Sequence, residues 1–162
     1  MTMTTPNSVS ACARAVTKEE AAYRIDYPLA YARSTSVVAL DETAEKTVRS
    51  VSGGPWGQAQ FYTVSDSGEQ LVTLDGQRRP MVMEIEHSDS VIMVATNSIV
   101  STAAASVGAA CRERSIMTAG LLLLDAGALD GDALSALRPY ARILLVPADE
   151  EDLFELLKAI RA

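Results

Sequence analysis

Residues 90–124 read SVIMVATNSIVSTAAASVGAACRERSIMTAGLLLL, and this stretch decides the fold. Its two ends, residues 90–96 and 116–124, are short and almost wholly apolar, as expected of strands buried on both faces of a sheet. The residues between them, 98–114, predict a helix, because apolar side chains recur there at helical spacing: Ile99, Ala103, Val107, Ala110 and Cys111. A strand, a helix and a second strand in this order are typical of a parallel sheet.

The same alternation continues on both sides of that unit. Further strands are predicted at residues 36–40, 58–64 and 143–146, and further helices at 41–51, 132–137 and 149–161. Two short runs at 70–74 and 80–85 flank the turn Asp75-Gly76 and predict a hairpin or a pair of short strands. We therefore expect residues 35–162 to form one α/β domain. Its architecture would be a three-layer, Rossmann-like or flavodoxin-like sandwich with about five mostly parallel strands and an inserted β-hairpin.

The first 34 residues differ from the rest and are interpreted as a flexible leader followed by an N-terminal arm. Residues 1–16 are rich in Thr, Ser and Ala, whereas Thr17 and Glu20 have the spacing of a capping box. Tyrosines then recur every four residues, at Tyr23, Tyr27 and Tyr31. Because tyrosine is favoured at protein interfaces, we predict that these side chains bind a partner. The alternative is that they pack onto the domain itself as part of an ordinary extra helix.

Composition excludes several classes of protein. The chain has 162 residues and a net charge of −7, whereas proteins that bind nucleic acid or anionic membranes usually carry a basic patch. No run approaches the ~20 apolar residues of a membrane span, and the N-terminus lacks the features of a secretory signal. Two cysteines and one histidine indicate a reducing compartment. We therefore predict a cytoplasmic protein that binds no nucleic acid and does not insert into a membrane.

The sequence also lacks the common motifs of catalysis. It contains no P-loop pattern, and no G-x-G-x-x-G follows a predicted strand. No group of His, Cys and carboxylate residues has the spacing of metal ligands. His87 is interpreted as a surface histidine, although Glu86 could orient it as a general base, and Cys111 as an inert buried hydrophobe. The sequence thus identifies no catalytic residue, no metal ligand and no cofactor.

Polar residues nevertheless follow the predicted strands, at the edge where open parallel sheets bind ligands. The turn Thr96-Asn97-Ser98 opens a predicted helix, whose free N–H groups could hold a phosphate or a carboxylate. The simpler interpretation is that Asn97 or Ser98 only caps that helix. The candidate ligand-binding residues are Asp41, Thr96, Asn97, Ser98, Ser101, Thr102 and Asp125, of which the two aspartates are the acid–base candidates.

The order of elements over residues 36–124 resembles the nucleotide-binding half of the bacterial tubulin-like (FtsZ-like) division proteins. Residues 89–95 are similar to the strand before that family's glycine-rich turn, and residues 103–124 to the helix and strand after it. Where the family has its glycines, this chain reads TNSIVST at residues 96–102, and Asp41-Glu42-Thr43 replaces the glycine-rich loop after the first strand. The resemblance implies an α/β fold. The departure implies that GTP binding has been lost, because β-branched side chains block close approach of a polyphosphate.

Two functions are compatible with these observations. The missing catalytic motifs and the tyrosine-bearing arm favour a non-catalytic accessory, scaffold or regulatory protein, which assembles as a homo-oligomer or with a larger protein partner through the arm. The alternative is a small-molecule or nucleotide-binding protein, or even an enzyme, with its site at the carboxyl ends of the strands. A redox module is a third and weaker hypothesis, since the chain has no C-x-x-C motif.

Overall fold

The computed structural model describes residues 32–124 and 127–162, and these described residues form one compact unit. The tyrosines of the predicted arm, Tyr23, Tyr27 and Tyr31, lie outside the described residues, as does Asp125. The strands are β1 (Thr35–Ala39), β2 (Ala59–Val64), β3 (Gln70–Thr73), β4 (Arg78–Pro80), β5 (Ser90–Ala95), β6 (Met117–Leu123) and β7 (Ile143–Ala148). The helices are α1 (Glu42–Ser52), α2 (Met81–Glu86), α3 (Ser101–Glu113), α4 (Gly131–Leu137) and α5 (Glu150–Ile160), with a 3-10 turn at Arg138–Tyr140.

All seven described strands belong to one sheet in the order β4-β3-β2-β1-β5-β6-β7. The five neighbouring strands β2, β1, β5, β6 and β7 pair in parallel. Beyond β2, strands β3 and β4 extend the sheet as an antiparallel hairpin. Numbered among themselves, the parallel strands follow the order 2-1-3-4-5 of flavodoxin-like sheets. The predicted α/β class and the parallel sheet are therefore confirmed.

The sheet separates two hydrophobic cores, one on each face. Successive side chains of a strand point to opposite faces, so Val38 and Met93 pack with α2, α3 and α4, whereas Val37 and Ile92 pack with α1 and α5. Central strands are therefore mostly apolar on both faces, which explains why their sequences show nearly continuous apolar runs rather than alternation. The result is the expected three layers.

Two local predictions were wrong. Residues 80–85 were expected to form a strand, but the hairpin closes over the three residues of β4, and Met81 begins helix α2. Buried Met81 and Ile85, four residues apart, face the core, so helical packing decides this segment. The helix predicted at 98–114 begins only at Ser101, because the Val100 N–H before it bonds to the carbonyl of Leu40, just after β1.

The remaining helices begin as their sequences indicate. Asp149 caps α5 in a capping box with Asp152, and the acidic first turn of that helix complements its dipole. Over the described residues, no helix is both long enough and apolar enough to cross a membrane.

Candidate functional site

The strand order reverses between β1 and β5, and the crevice at such a reversal is where flavodoxin-like sheets usually bind ligands. Asp41 follows β1 at this point and Thr96 follows β5. Asp41 Oδ2 accepts the Thr96 N–H at 2.7 Å, and its Oδ1 accepts the Thr96 hydroxyl at 3.0 Å. Asp41 Oδ1 also accepts the Ala44 N–H at 2.8 Å and so caps α1. The structure thus brings together two predicted site residues and uses the carboxylate of one to hold the other.

Backbone bonds close the same crevice further. The Leu40 N–H donates to the Val94 carbonyl at 2.9 Å, and the Val100 N–H donates back to the Leu40 carbonyl at 3.3 Å. The Ser98 N–H donates to the Thr96 hydroxyl at 3.1 Å, and Thr96 is only 3 % exposed. The turn after β5 is therefore tied to β1 by its own hydrogen bonds.

Asn97 is engaged as well, but with a different element. Its Nδ2 donates to the Ala128 carbonyl at 3.0 Å, and its Oδ1 accepts the Asp130 N–H at 3.1 Å. Asp130 in turn caps α4 through the Asp132 N–H. Asn97 thus holds the loop that leads into α4.

The prediction that Asn97 or Ser98 caps the following helix is wrong. The residue at the N-cap of α3 is Val100, which makes no side-chain cap bond. Ser101 and Thr102 occupy the first turn and are exposed. An uncapped first turn leaves N–H groups for water or an anion, so Ser101 and Thr102 are the predicted site residues that are best placed to meet a ligand.

Two cavities lie at the other edge of the sheet, at the amino ends of the strands, one on each face. The first, which we term the apolar groove, has a volume of about 580 Å³ and lies on the α1 and α5 face. Its lining includes Arg33, Met117, Ile143, Leu156 and Ile160. Met117 and Ile143 are 46 % and 52 % exposed, so large apolar side chains face solvent there.

The second cavity, which we term the arginine pocket, has a volume of about 300 Å³ and lies on the α3 face. Its lining includes Gly108, Arg112, Ser115, Thr118, Tyr140 and Arg142. Sequence reasoning missed both cavities, because their residues come from segments far apart in the chain and form no local motif. The nearest signal was the cluster of arginines at 112, 114, 138 and 142 in an otherwise acidic protein.

The isolated reactive groups do not assemble into a catalytic site within the described residues. Cys111 is buried, and burial raises the pKa of its thiol to about 11, so the nucleophilic thiolate is disfavoured at neutral pH. His87 ends α2 and is exposed. Burial, and then a 2.6 Å hydrogen bond to Glu84, raise the pKa of Tyr62. In the two described ranges, no group of three or more His, Cys, Asp or Glu side chains could hold a metal ion.

In the comparison with known proteins, no family model and no curated protein matches the chain. The class that the fold defines, a flavodoxin-like α/β protein, therefore carries no inherited function, because such folds host many unrelated activities. Function has to be argued from the sites themselves.

Proposed function

We propose that this is a non-catalytic accessory or scaffold protein that assembles with a second copy of itself. In this proposal, the N-terminal arm of one copy docks on the apolar groove of the other. The observation that carries it is the contrast between the two edges of the sheet. At the carboxyl edge, Asp41, Thr96 and Asn97 are bonded to the protein's own groups, whereas the amino edge exposes apolar side chains in a groove.

The groove has the properties of a docking surface. Leu156 and Ile160, four residues apart on α5, present one face of that helix to it, and Met117 and Ile143 flank it from β6 and β7. Exposed apolar patches of this kind mark interaction sites in many proteins.

The arm has the composition and length of a suitable occupant. A standard interface uses about 20–30 residues on each side. The leader and arm, residues 1–34, supply that number and include Tyr23, Tyr27 and Tyr31. Tyrosine combines a large apolar ring with a hydroxyl that tolerates a wet rim, which suits a half-open groove. Arg33, near the end of the arm, is itself a lining residue of the groove.

The test is the mass of the full-length protein in solution, measured by light scattering across a concentration series. We expect the full-length protein to be a dimer. The variant Ile143→Glu should be a monomer, and so should the variant in which all three arm tyrosines are replaced by alanine. Met83→Lys is the matched control, because Met83 is 57 % exposed on α2 and outside the groove lining. A monomer at every concentration refutes self-assembly and leaves a larger partner to be sought. A dimer that survives Ile143→Glu refutes the role of the groove.

A second candidate function rests on the uncapped start of α3. With Val100 at the N-cap, the exposed first turn at Ser101 and Thr102 favours a phosphate-bearing or carboxylate-bearing ligand at the carboxyl edge. Kinship with the tubulin-like proteins stays a prediction and does not by itself support this candidate, because residues 96–102 lack that family's glycines.

The discriminating variant for this candidate is Thr102→Glu, which places a negative charge in the first turn of α3. The charge complements the helix dipole and should stabilise the protein slightly. The same charge repels an anion, so it should abolish any rise in Tm caused by GTP or inorganic phosphate. If neither compound raises the Tm of the parent protein, this candidate is excluded for both.

A further inference from the structure

We propose that the arginine pocket binds a small aromatic oxyanion, meaning a phosphate or carboxylate group attached to a flat ring. The proposal is independent of the assembly proposed above, because the pocket and the apolar groove lie on opposite faces of the sheet. It rests on the local charge, on the way the pocket wall is built, and on the pairing of guanidinium groups with an aromatic ring.

The local charge is opposite to that of the whole protein. The segments around the pocket contain Arg112, Arg114, Arg138 and Arg142 but only one acidic residue, Glu113, whereas the chain carries −7. Arg114 is already used, since it pairs with Glu113 at 3.4 Å and donates to the Ala110 carbonyl at 2.9 Å. Within the described part of the chain, Arg112 and Arg142 have no carboxylate within 4.0 Å. Two arginines thus line one cavity, and among the described residues neither is paired with a carboxylate.

The wall of the pocket is held rigidly. Tyr140 packs so closely on α3 that a Cβ added at Gly108 would lie 2.2 Å from its ring. The Thr118 hydroxyl donates to the Tyr140 carbonyl at 2.7 Å, and the Arg142 N–H donates to the Thr118 carbonyl at 3.1 Å. The backbone on both sides of the ring is therefore fixed before any ligand arrives, which lowers the entropic cost of binding.

Arg112 is positioned by the same wall. Its guanidinium carbon lies 6.0 Å from the centroid of the Tyr140 ring, and its Nη2 donates to the Pro139 carbonyl at 3.4 Å. The other guanidinium donors are left for a ligand. An arginine fork matches the geometry of a carboxylate or phosphate better than an ammonium group does.

The chemistry of the lining defines the ligand class. Arg112 and Arg142 supply the charge that recognises an oxyanion, Ser115 adds an exposed hydroxyl-bearing residue, and Tyr140 with Ile116 offers surface for a ring. A cavity of about 300 Å³ lies at the lower end of the range for small-molecule sites. A single ring carrying one oxyanion suits that size, whereas inorganic phosphate alone would leave the apolar wall uncovered.

The test is an NMR titration of the full-length protein with phenyl phosphate and with benzoate, which distinguish the two oxyanions. Inorganic phosphate and phenol are the controls, because the first carries only the oxyanion and the second only the aromatic ring. We expect saturable shifts at the amides of Ser115 and Thr118, with at least one aromatic oxyanion binding about tenfold more tightly than either control. The absence of saturable shifts up to about 10 mM of both aromatic probes would overturn the proposal.

Arginine variants show which side chains bind the oxyanion. Arg142→Gln and Arg112→Gln should each weaken binding about tenfold, and Arg138→Gln, at the same end of the sheet but outside the named lining, should leave it unchanged. An equal loss in the Arg138 variant would mean general charge attraction and contradict the pocket. The Arg112 side chain also packs on Tyr140, so a loss of binding in Arg112→Gln is compatible with a loss of stability. Arg142 is exposed, so Arg142→Gln is the decisive variant. Wild-type affinity in Arg142→Gln overturns the proposal.

Discussion

Replacement of Asp41 by alanine should destabilise the protein far more than replacement of any ordinary surface carboxylate. The Asp41 side chain accepts hydrogen bonds from the Ala44 N–H, the Thr96 N–H and the Thr96 hydroxyl. It therefore joins the start of α1 to the end of β5 at the reversal of strand order. No other side chain of the described residues accepts the Thr96 N–H, so alanine leaves that donor without its partner.

The size of the effect follows from these contacts. Loss of an N-cap costs about 1 kcal/mol, and a buried N–H left without an acceptor costs a further ~1–3 kcal/mol. Thr96 is 3 % exposed, so water cannot easily replace the carboxylate. We expect Asp41→Ala to lower the free energy of unfolding by about 2–4 kcal/mol. Asp41→Asn keeps a good cap and one acceptor, so it should cost only about 1 kcal/mol.

Urea unfolding followed by tryptophan fluorescence measures this effect, since Trp56 is the only tryptophan in the chain. With an m-value near 2 kcal/mol per M, a loss of about 3 kcal/mol lowers the midpoint by about 1.5 M. Glu42→Ala is the matched control, because the exposed Glu42 side chain contributes only to the helix dipole, about 0.5 kcal/mol. Equal midpoints for Asp41→Ala and Glu42→Ala would refute the structural role of Asp41. An increase in stability would instead indicate a carboxylate held for a ligand at a cost to folding.

Three further predictions concern packing and ionisation. Gly108→Ala should lower stability by about 1–3 kcal/mol in thermal unfolding despite the better helix propensity of alanine, because its Cβ would lie 2.2 Å from the Tyr140 ring; an unchanged Tm would show that the ring moves freely. In a chain whose other cysteine is replaced by serine, Cys111 should react with a thiol reagent at pH 8 only after unfolding, since burial raises its pKa from 9.0 to about 11. Because the thiol has a higher pKa in the folded than in the unfolded protein, its contribution to stability is fully present below pH ~9 and is lost as pH rises through ~11. Cys111→Ala should therefore reduce the loss of stability over that pH range. Rapid labelling of the native protein would contradict the burial on which both statements depend. Phe154→Ala should remove the edge contact with Trp56, whose ring centroid lies 5.1 Å away, at a cost of about 2 kcal/mol and with a red shift of the tryptophan emission; unchanged emission would contradict that contact.

Element type could be predicted wherever the local pattern and the tertiary environment agree. The run SVIMVA forms β5 because a central strand is buried on both faces, and all its side chains after Ser90 are buried. The stripe with Leu153 and Leu157 forms α5 because only one face of that helix meets the sheet. Residues 80–85 were wrongly predicted as a strand. Their apolar side chains fit either structure, and packing of Met81 and Ile85 against the core selected the helix.

The candidate site was predictable only in its location. A rule about parallel sheets was enough to place Asp41 and Thr96 at one edge of the sheet. Their sequence positions could not show that the carboxylate of one is occupied by the N–H and hydroxyl of the other, since the two residues are 55 positions apart. The cap of α3 was missed for a related reason. The Val100 N–H bonds to the Leu40 carbonyl, so a long-range contact delays the start of the helix.

The sequence by itself determined the α/β class, the parallel strands and the acidic character, because burial on two faces and helical periodicity are properties of neighbouring residues. Only the tertiary structure decided which edge of the sheet is open. The hydrogen bonds that fill the carboxyl-edge crevice and the side chains that line the groove and the arginine pocket come from segments far apart in the chain. Which of them meet depends on strand order, and strand order is set by packing of the whole chain rather than by any local pattern.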